Sequence, residues 1–177
     1  LKKSLIYNYK VSDILIKLKK FNDTYCRYGQ IPSIDKHFDL CLFNTFRSYI
    51  NINSFFPRNH EEHNDQRGSF SELSRVFSQG QTSFSITKKG VVRGNHFHTR
   101  KIERFSVIKG KAKIQLREIL SDNKFEFIID GDRPSYVDIP IWHTHNIENI
   151  GDEELITIFW INEHYNEDRS DTYLENV

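Results

Sequence analysis

Residues 94–103 read GNHFHTRKIE. In a β-strand, residues i and i+2 lie on one face, roughly 6.5–7 Å apart along the chain. His96 and His98 can therefore aim their rings at one point, with Phe97 turned the other way. Glu103 stands five residues beyond His98, an odd offset that an unbroken strand would throw to the opposite face. The spacing predicts a bend through residues 99–102, after which Glu103 opens a new strand on the histidine side. Two imidazoles and a carboxylate converging on one point suit a divalent transition metal.

Downstream, residues 140–149 (PIWHTHNIEN) offer a further ligand in His143 or His145, both on the same alternating face as Ile147. Asn146 and Asn149 are candidates for hydrogen bonds that orient the ligands. Residues 111–119 (KAKIQLREI) place Ala112, Ile114 and Leu116 on one side and charged or amide groups on the other, and residues 125–130 (FEFIID) alternate similarly. Residues 155–161 (LITIFWI) form an almost continuous apolar run, suited to a strand buried on both faces. Turn signals at Lys89-Gly90, Lys109-Gly110, Asp122-Asn123, Asp130-Gly131 and Gly151-Asp152 separate these runs. Short strands with no intervening helices predict an antiparallel sandwich or barrel, in which the late strand can lie beside the early ones.

Upstream, the period is helical. Val11, Ile14, Leu15, Leu18 and Phe21 share one face, with Ser12 or Asp13 placed to cap the start, and Phe38, Leu42, Thr45, Phe46 and Tyr49 share another. Such a pair of amphipathic helices needs something further to dock on. Residues 51–65 are polar and punctuated by Pro57, a linker in which His60 and His63 are read as solvated; His37 and His164 are read as surface groups.

The 177 residues carry 25 Lys+Arg against 24 Asp+Glu, a net charge of +1, which removes the basic excess of a nucleic-acid binder. No apolar run approaches the ~20 residues of a membrane span, and no signal peptide is read at the N-terminus. Cys26 and Cys41 lie outside any CxxC pattern, as expected of free thiols in a reducing, cytoplasmic setting. The absence of methionine, position 1 included, leaves open that the chain is a fragment.

The spacing resembles the cupin family. Its first motif, Gly-x5-His-x-His-x4-Glu-x6-Gly, is matched by Gly90, His96, His98, Glu103 and Gly110; its second is matched by Pro140, His145 and Asn149, with Trp142 where the motif has glycine. The resemblance implies a mainly β fold, a jelly-roll antiparallel barrel preceded by two α-helices. It implies His96, His98, Glu103 and His145 as the metal set, with zinc or another divalent transition metal as cofactor. Residues 65–73, 94–119, 137–163 and the terminal DTYLENV are similar, more narrowly, to the C-terminal cupin domains of bifunctional capsular-polysaccharide enzymes of the UDP-2-acetamido-2,6-dideoxy-L-talose synthase type. Residues 1–56 then resemble the last helices of a preceding short-chain reductase domain, with residues 57–64 as linker and 65–177 as cupin domain.

That resemblance implies a homodimer acting on a UDP-4-keto-6-deoxy-HexNAc sugar, with epimerisation at C3 through an enolate. His143, Tyr136 and Glu103 are the candidate proton-transfer groups, and Arg67 is a candidate to fork onto the diphosphate. Arg93, Lys101 and Arg104 are read as solvated, and Phe84, Phe97, Phe105, Phe159 and Trp160 as core. No Gly-rich dinucleotide fingerprint is present, so no NADP and no reductase activity are expected on this chain. Two other readings stay open: a non-catalytic, metal-stabilised module that dimerises or holds substrate, and an iron-dependent oxygenase.

Overall fold

Helices occupy the chain up to Phe55, and strands follow from Arg58. The computed structural model describes residues 6–60, 62–65, 68–71, 73 and 80–177. These fall into two units, one within residues 6–49 and one within residues 50–177.

In the first unit, α1 (Val11–Phe21) runs into a π-helical turn (Asn22–Cys26), and α2 (His37–Ser48) follows. The α1 N-cap is Lys10, without a side-chain cap, so neither Ser12 nor Asp13 performs that task; Asp13 lies in the first turn, where a carboxylate favours the helix dipole. Phe43, outside the face expected for α2, is its fully buried residue, edge-on to Phe21 at 5.1 Å and to Tyr25 at 5.2 Å. Val11 and Leu15 on the apolar face of α1 stay exposed.

The second unit opens with α3 (Ile52–Phe55), and among the described residues twelve strands follow: β1 (Arg58–Asn59), β2 (Glu62–Asp65), β3 (Gly68–Ser71), β4 (Gln81–Thr87), β5 (Val92–Phe97), β6 (Glu103–Lys109), β7 (Lys111–Glu118), β8 (Lys124–Asp130), β9 (Ser135–Ile139), β10 (His143–Asn149), β11 (Leu155–Ile161) and β12 (Tyr173–Leu174). Two five-stranded antiparallel sheets, ordered β1-β9-β6-β11-β4 and β12-β5-β10-β7-β8, form a jelly roll; β2 and β3 make a separate hairpin. The expected fold class is the observed one. Residues expected as linker contain β1, which pairs with β9, and Phe56 before them is buried with the barrel core.

Ala112, Ile114 and Leu116 are fully buried in that core with Val107, Val137, Ile139, Ile147 and Leu155. Burying a Val, Leu or Ile side chain contributes about 1.5–3 kcal/mol. The core therefore fixes the facing of each strand, because a slip of one residue would turn its apolar set outward. The apolar run 155–161 becomes β11, between β6 and β4.

Candidate metal centre

His96 lies in β5, directly opposite His145 of β10. Cross-strand neighbours share a face, so both rings project from one sheet toward the other. Glu103 opens β6 in the facing sheet. His98 follows the last residue of β5, and residues 99–102 make the expected bend. One ligand atom from each of His96, His98, Glu103 and His145 lies within 4.8 Å of all the others.

The interior of the cluster is polar and unsatisfied. Nε2 of His98 and Nε2 of His145 each stand 3.1 Å from Oε2 of Glu103. None of these three buried atoms makes a hydrogen bond of acceptable direction. A buried polar atom without a partner costs about 1–3 kcal/mol, and three aimed at one point form a set of donors for a cation. Imidazole nitrogen and carboxylate oxygen suit zinc and its neighbours in the transition series, so these residues fit such an ion.

Electrostatics favours a free lone pair on His96 and an ionised Glu103, while His98 holds its proton more tightly. Burial, with the flanking His145 and His98 rings, pushes His96 down to about 4, keeping it neutral with a lone pair available. Burial would raise Glu103, but contacts with His145 and His98 outweigh it and hold the carboxyl well below the usual range. Burial would likewise lower His98, but the Glu103 carboxylate outweighs it and raises that ring.

A cavity of about 390 Å³ opens onto His96 and Glu103, within the range of small-molecule sites. Phe105, Phe159 and Ile147 supply apolar walls, and Ser85, Thr157 and Arg93 supply polar groups. Arg93 is exposed, as read from sequence, and also reaches this wall through a β-bulge. Three residues from His96, it would face away in a regular strand. The register opposite β10 instead jumps from His96 to Gly94, leaving Asn95 unpaired at φ 58° and placing Arg93 opposite Ile147, on the cavity side. Adjacent Gly94 and Asn95, both at positive φ, are the sequence signal for that bulge.

The other expected residues lie elsewhere. His143 precedes His145 by two on β10, half-buried, with Nδ1 3.0 Å from the Ile141 carbonyl oxygen; it is not among the cavity-lining residues described. Tyr136 sits on the opposite face of its sheet from Glu103, beside Arg104, whose guanidinium stands 4.0 Å from its ring centroid. The structure does not bring Tyr136 to the cluster. Arg104 and Lys101 are buried rather than solvated. Of the residues expected as core, Phe105 and Phe159 line the cavity and Phe84 is exposed. Arg67 and the side chain of His63 lie outside the described residues. Asn146 Nδ2 donates to Asn95 Oδ1 across the bulge, and Asn149 Nδ2 donates to the Thr87 and Glu153 carbonyls. Those asparagine bonds serve the bulge and a turn rather than a ligand ring.

Residues 63–173 match the family model for the polysaccharide biosynthesis C-terminal domain. A UDP-2-acetamido-2,6-beta-L-arabino-hexul-4-ose reductase of Pseudomonas aeruginosa is 36% identical over 137 residues, which is 77% of this chain and 36% of that protein. The capsular polysaccharide assembling protein CapF of Staphylococcus aureus is 37% identical with a TM-score of 0.56, over 93% of this chain and 47% of that one. The dTDP-6-deoxy-D-glucose-3,5-epimerase RmlC of Legionella pneumophila shares the fold at 19% identity, with a TM-score of 0.53 over 62% of this chain and 67% of its own. The chain spans about a third of the Pseudomonas relative and about half of the Staphylococcus one.

Proposed function

The chain belongs to the polysaccharide biosynthesis C-terminal domain family, and from that premise we propose that it is a metal-dependent cupin epimerising C3 of a UDP-4-keto-6-deoxy-HexNAc sugar in capsular or surface polysaccharide precursor synthesis. The observation that carries this reading is the buried, unsatisfied set His98, Glu103 and His145, joined by His96 at the wall of a ligand-sized cavity. A divalent cation, zinc in this proposal, would supply Lewis-acid stabilisation of negative charge on a substrate oxygen when bound.

The chain's own residues supply the rest. The C3 proton lies next to the C4 ketone, so its removal leaves an enolate, and returning a proton to the other face inverts the centre. His143, on the same face of β10 as His145, is the residue proposed for one of these two proton transfers. Arg93 on the cavity wall is the proposed cation for the diphosphate, since a guanidinium forks onto phosphate oxygens. Phe105, Phe159 and Ile147 exclude water from the reacting carbon. The partner reduction, as well as pairing of two copies, belongs in this proposal to the longer protein that the relatives represent.

Incubation with the 4-keto sugar nucleotide in D₂O tests the proposal: deuterium at C3, lost after metal removal, is expected. One observation favours a second reading, a metal-stabilised module that holds substrate without catalysis: neither His143 nor Tyr136 lines the cavity. Metal-dependent stabilisation with no label at C3 would select it.

A further inference from the structure

The bend that returns Glu103 to the histidine side is held from a distant part of the chain. Asp171 lies on the C-terminal segment just before β12, which pairs with β5 so that Leu174 stands opposite His96 and Tyr173 opposite Phe97. Its backbone carbonyl oxygen is 2.6 Å from His98 Nδ1. A carbonyl only accepts, so Nδ1 carries a hydrogen, and in the neutral ring Nε2, the atom facing Glu103, is left with the lone pair that a cation would take. The Asp171 carboxylate is equally committed. Its Oδ2 accepts from the backbone N–H groups of Arg100 and Lys101, both at 3.0 Å, and from that of Thr99 at 3.3 Å. Its Oδ1 accepts from the Thr99 hydroxyl at 2.6 Å and the Thr99 N–H at 3.2 Å.

We infer that Asp171 is a positioning residue of the metal centre: its carbonyl orients the His98 ring, and its carboxylate holds the bend between His98 and Glu103. Two features of Asp171 support this. It is buried, and it adopts φ 49°, the left-handed region that non-glycine residues enter at a cost. Aspartate at such a position is explained by the carboxylate, which glycine would lack. A neighbour that fixes the tautomer and direction of a ligating histidine commonly controls metal affinity. The inference rests on the metal reading above but makes a separate demand on the metal-free protein.

The test compares the 177-residue chain with its D171G and D171N variants. Glycine keeps the carbonyl and relieves the backbone cost but removes the carboxylate; asparagine keeps one acceptor oxygen and tolerates positive φ. Two quantities are read: Zn²⁺ affinity by competition with a chromophoric chelator, and the His98 tautomer from ¹⁵N imidazole spectra of the metal-free protein. At a pH high enough for His98 to be neutral, the parent is expected to hold a single His98 tautomer with its hydrogen on Nδ1. D171G is expected to show mixed tautomers and Zn²⁺ binding weaker by about 10–100-fold, with D171N between the two. Parental affinity and an unmixed tautomer in D171G would overturn the inference, leaving a strained turn that glycine merely relieves. Should D171G not fold, D171N decides by the same criteria. Should the parent bind no Zn²⁺, the metal reading fails, and the tautomer comparison still decides whether Asp171 positions His98.

Discussion

Arg104 and Asp138 form a two-pronged pair on the back of the sheet that carries Glu103, with Nε 2.7 Å from Oδ1 and the Nη2 group 2.9 Å from Oδ2. Both side chains are buried, so Arg104→Ala takes the two-pronged cation away from the carboxylate and is expected to destabilise the fold by about 3–5 kcal/mol in urea denaturation; a loss under 1 kcal/mol would contradict this. In sequence Arg104 looked solvated, because a charged residue declares no burial until its partner, 34 positions away, is known. The metal-binding candidates were legible because two-residue alternation brings His96 and His98 together within one short segment. The cluster also has a pH signature. His98 has a raised pKa, so its contribution to stability is complete below its ordinary 6.5 and is lost as pH rises through the folded value. His96, lowered from 6.5 to about 4, contributes fully above 6.5 and loses that contribution as pH falls toward 4. Glu103, lowered from 4.5, loses its contribution in stronger acid. The metal-free protein is therefore expected to gain most stability from the cluster near pH 6.5. Zn²⁺ competes with the His98 proton, so the rise in Tm on adding Zn²⁺ is expected to be larger at pH 8 than at pH 6. An equal rise at both would show that no such proton is displaced.

Among the elements, the turns decided more than the strands. Gly110 joins β6 to β7 at φ 80°, and a Cβ there would stand 2.9 Å from the Glu154 carbonyl oxygen. Gly110→Ala is expected to cost about 1–3 kcal/mol by thermal denaturation, and an unchanged Tm would contradict that assignment. Trp142, where the cupin motif has glycine, takes φ 61°, so the turn keeps the backbone the glycine would serve, with the indole stacked 5.7 Å from Phe97. The bulge in β5 was hidden from an alternation count, which assumes a regular strand. One extra residue at Asn95 brings Arg93, which is still exposed, to the cavity wall. Arg93→Ala is accordingly expected to weaken UDP binding by about 10–100-fold in calorimetry, the equivalent of one charge-assisted hydrogen bond; unaltered affinity would remove Arg93 from the proposed site. The bend at 99–102 was visible as a necessity, since Glu103 had the wrong parity. Its support was not, because Asp171 lies 70 to 72 residues from the N–H groups it holds and carries no local signal.

At the scale of the whole molecule, a jelly roll was readable from short alternating segments and their turns. The order of its strands was not, because pairing such as β5 with β10 depends on closure of the barrel. The helical unit is less self-explanatory: α1 leaves Val11 and Leu15 exposed, and the chain spans 36% of its Pseudomonas relative. Among the described residues no helix is long and apolar enough to cross a membrane. The two sheets meet at these four side chains, so an ion bound there would tie β5 and β10 to β6. Elemental analysis of the purified chain beside its H98Q and H145Q variants tests this most directly. One equivalent of a divalent transition metal per chain, lost in both variants while the β-sheet circular dichroism persists, is the predicted result. A parent without stoichiometric metal, or variants that retain it in full, would contradict the account.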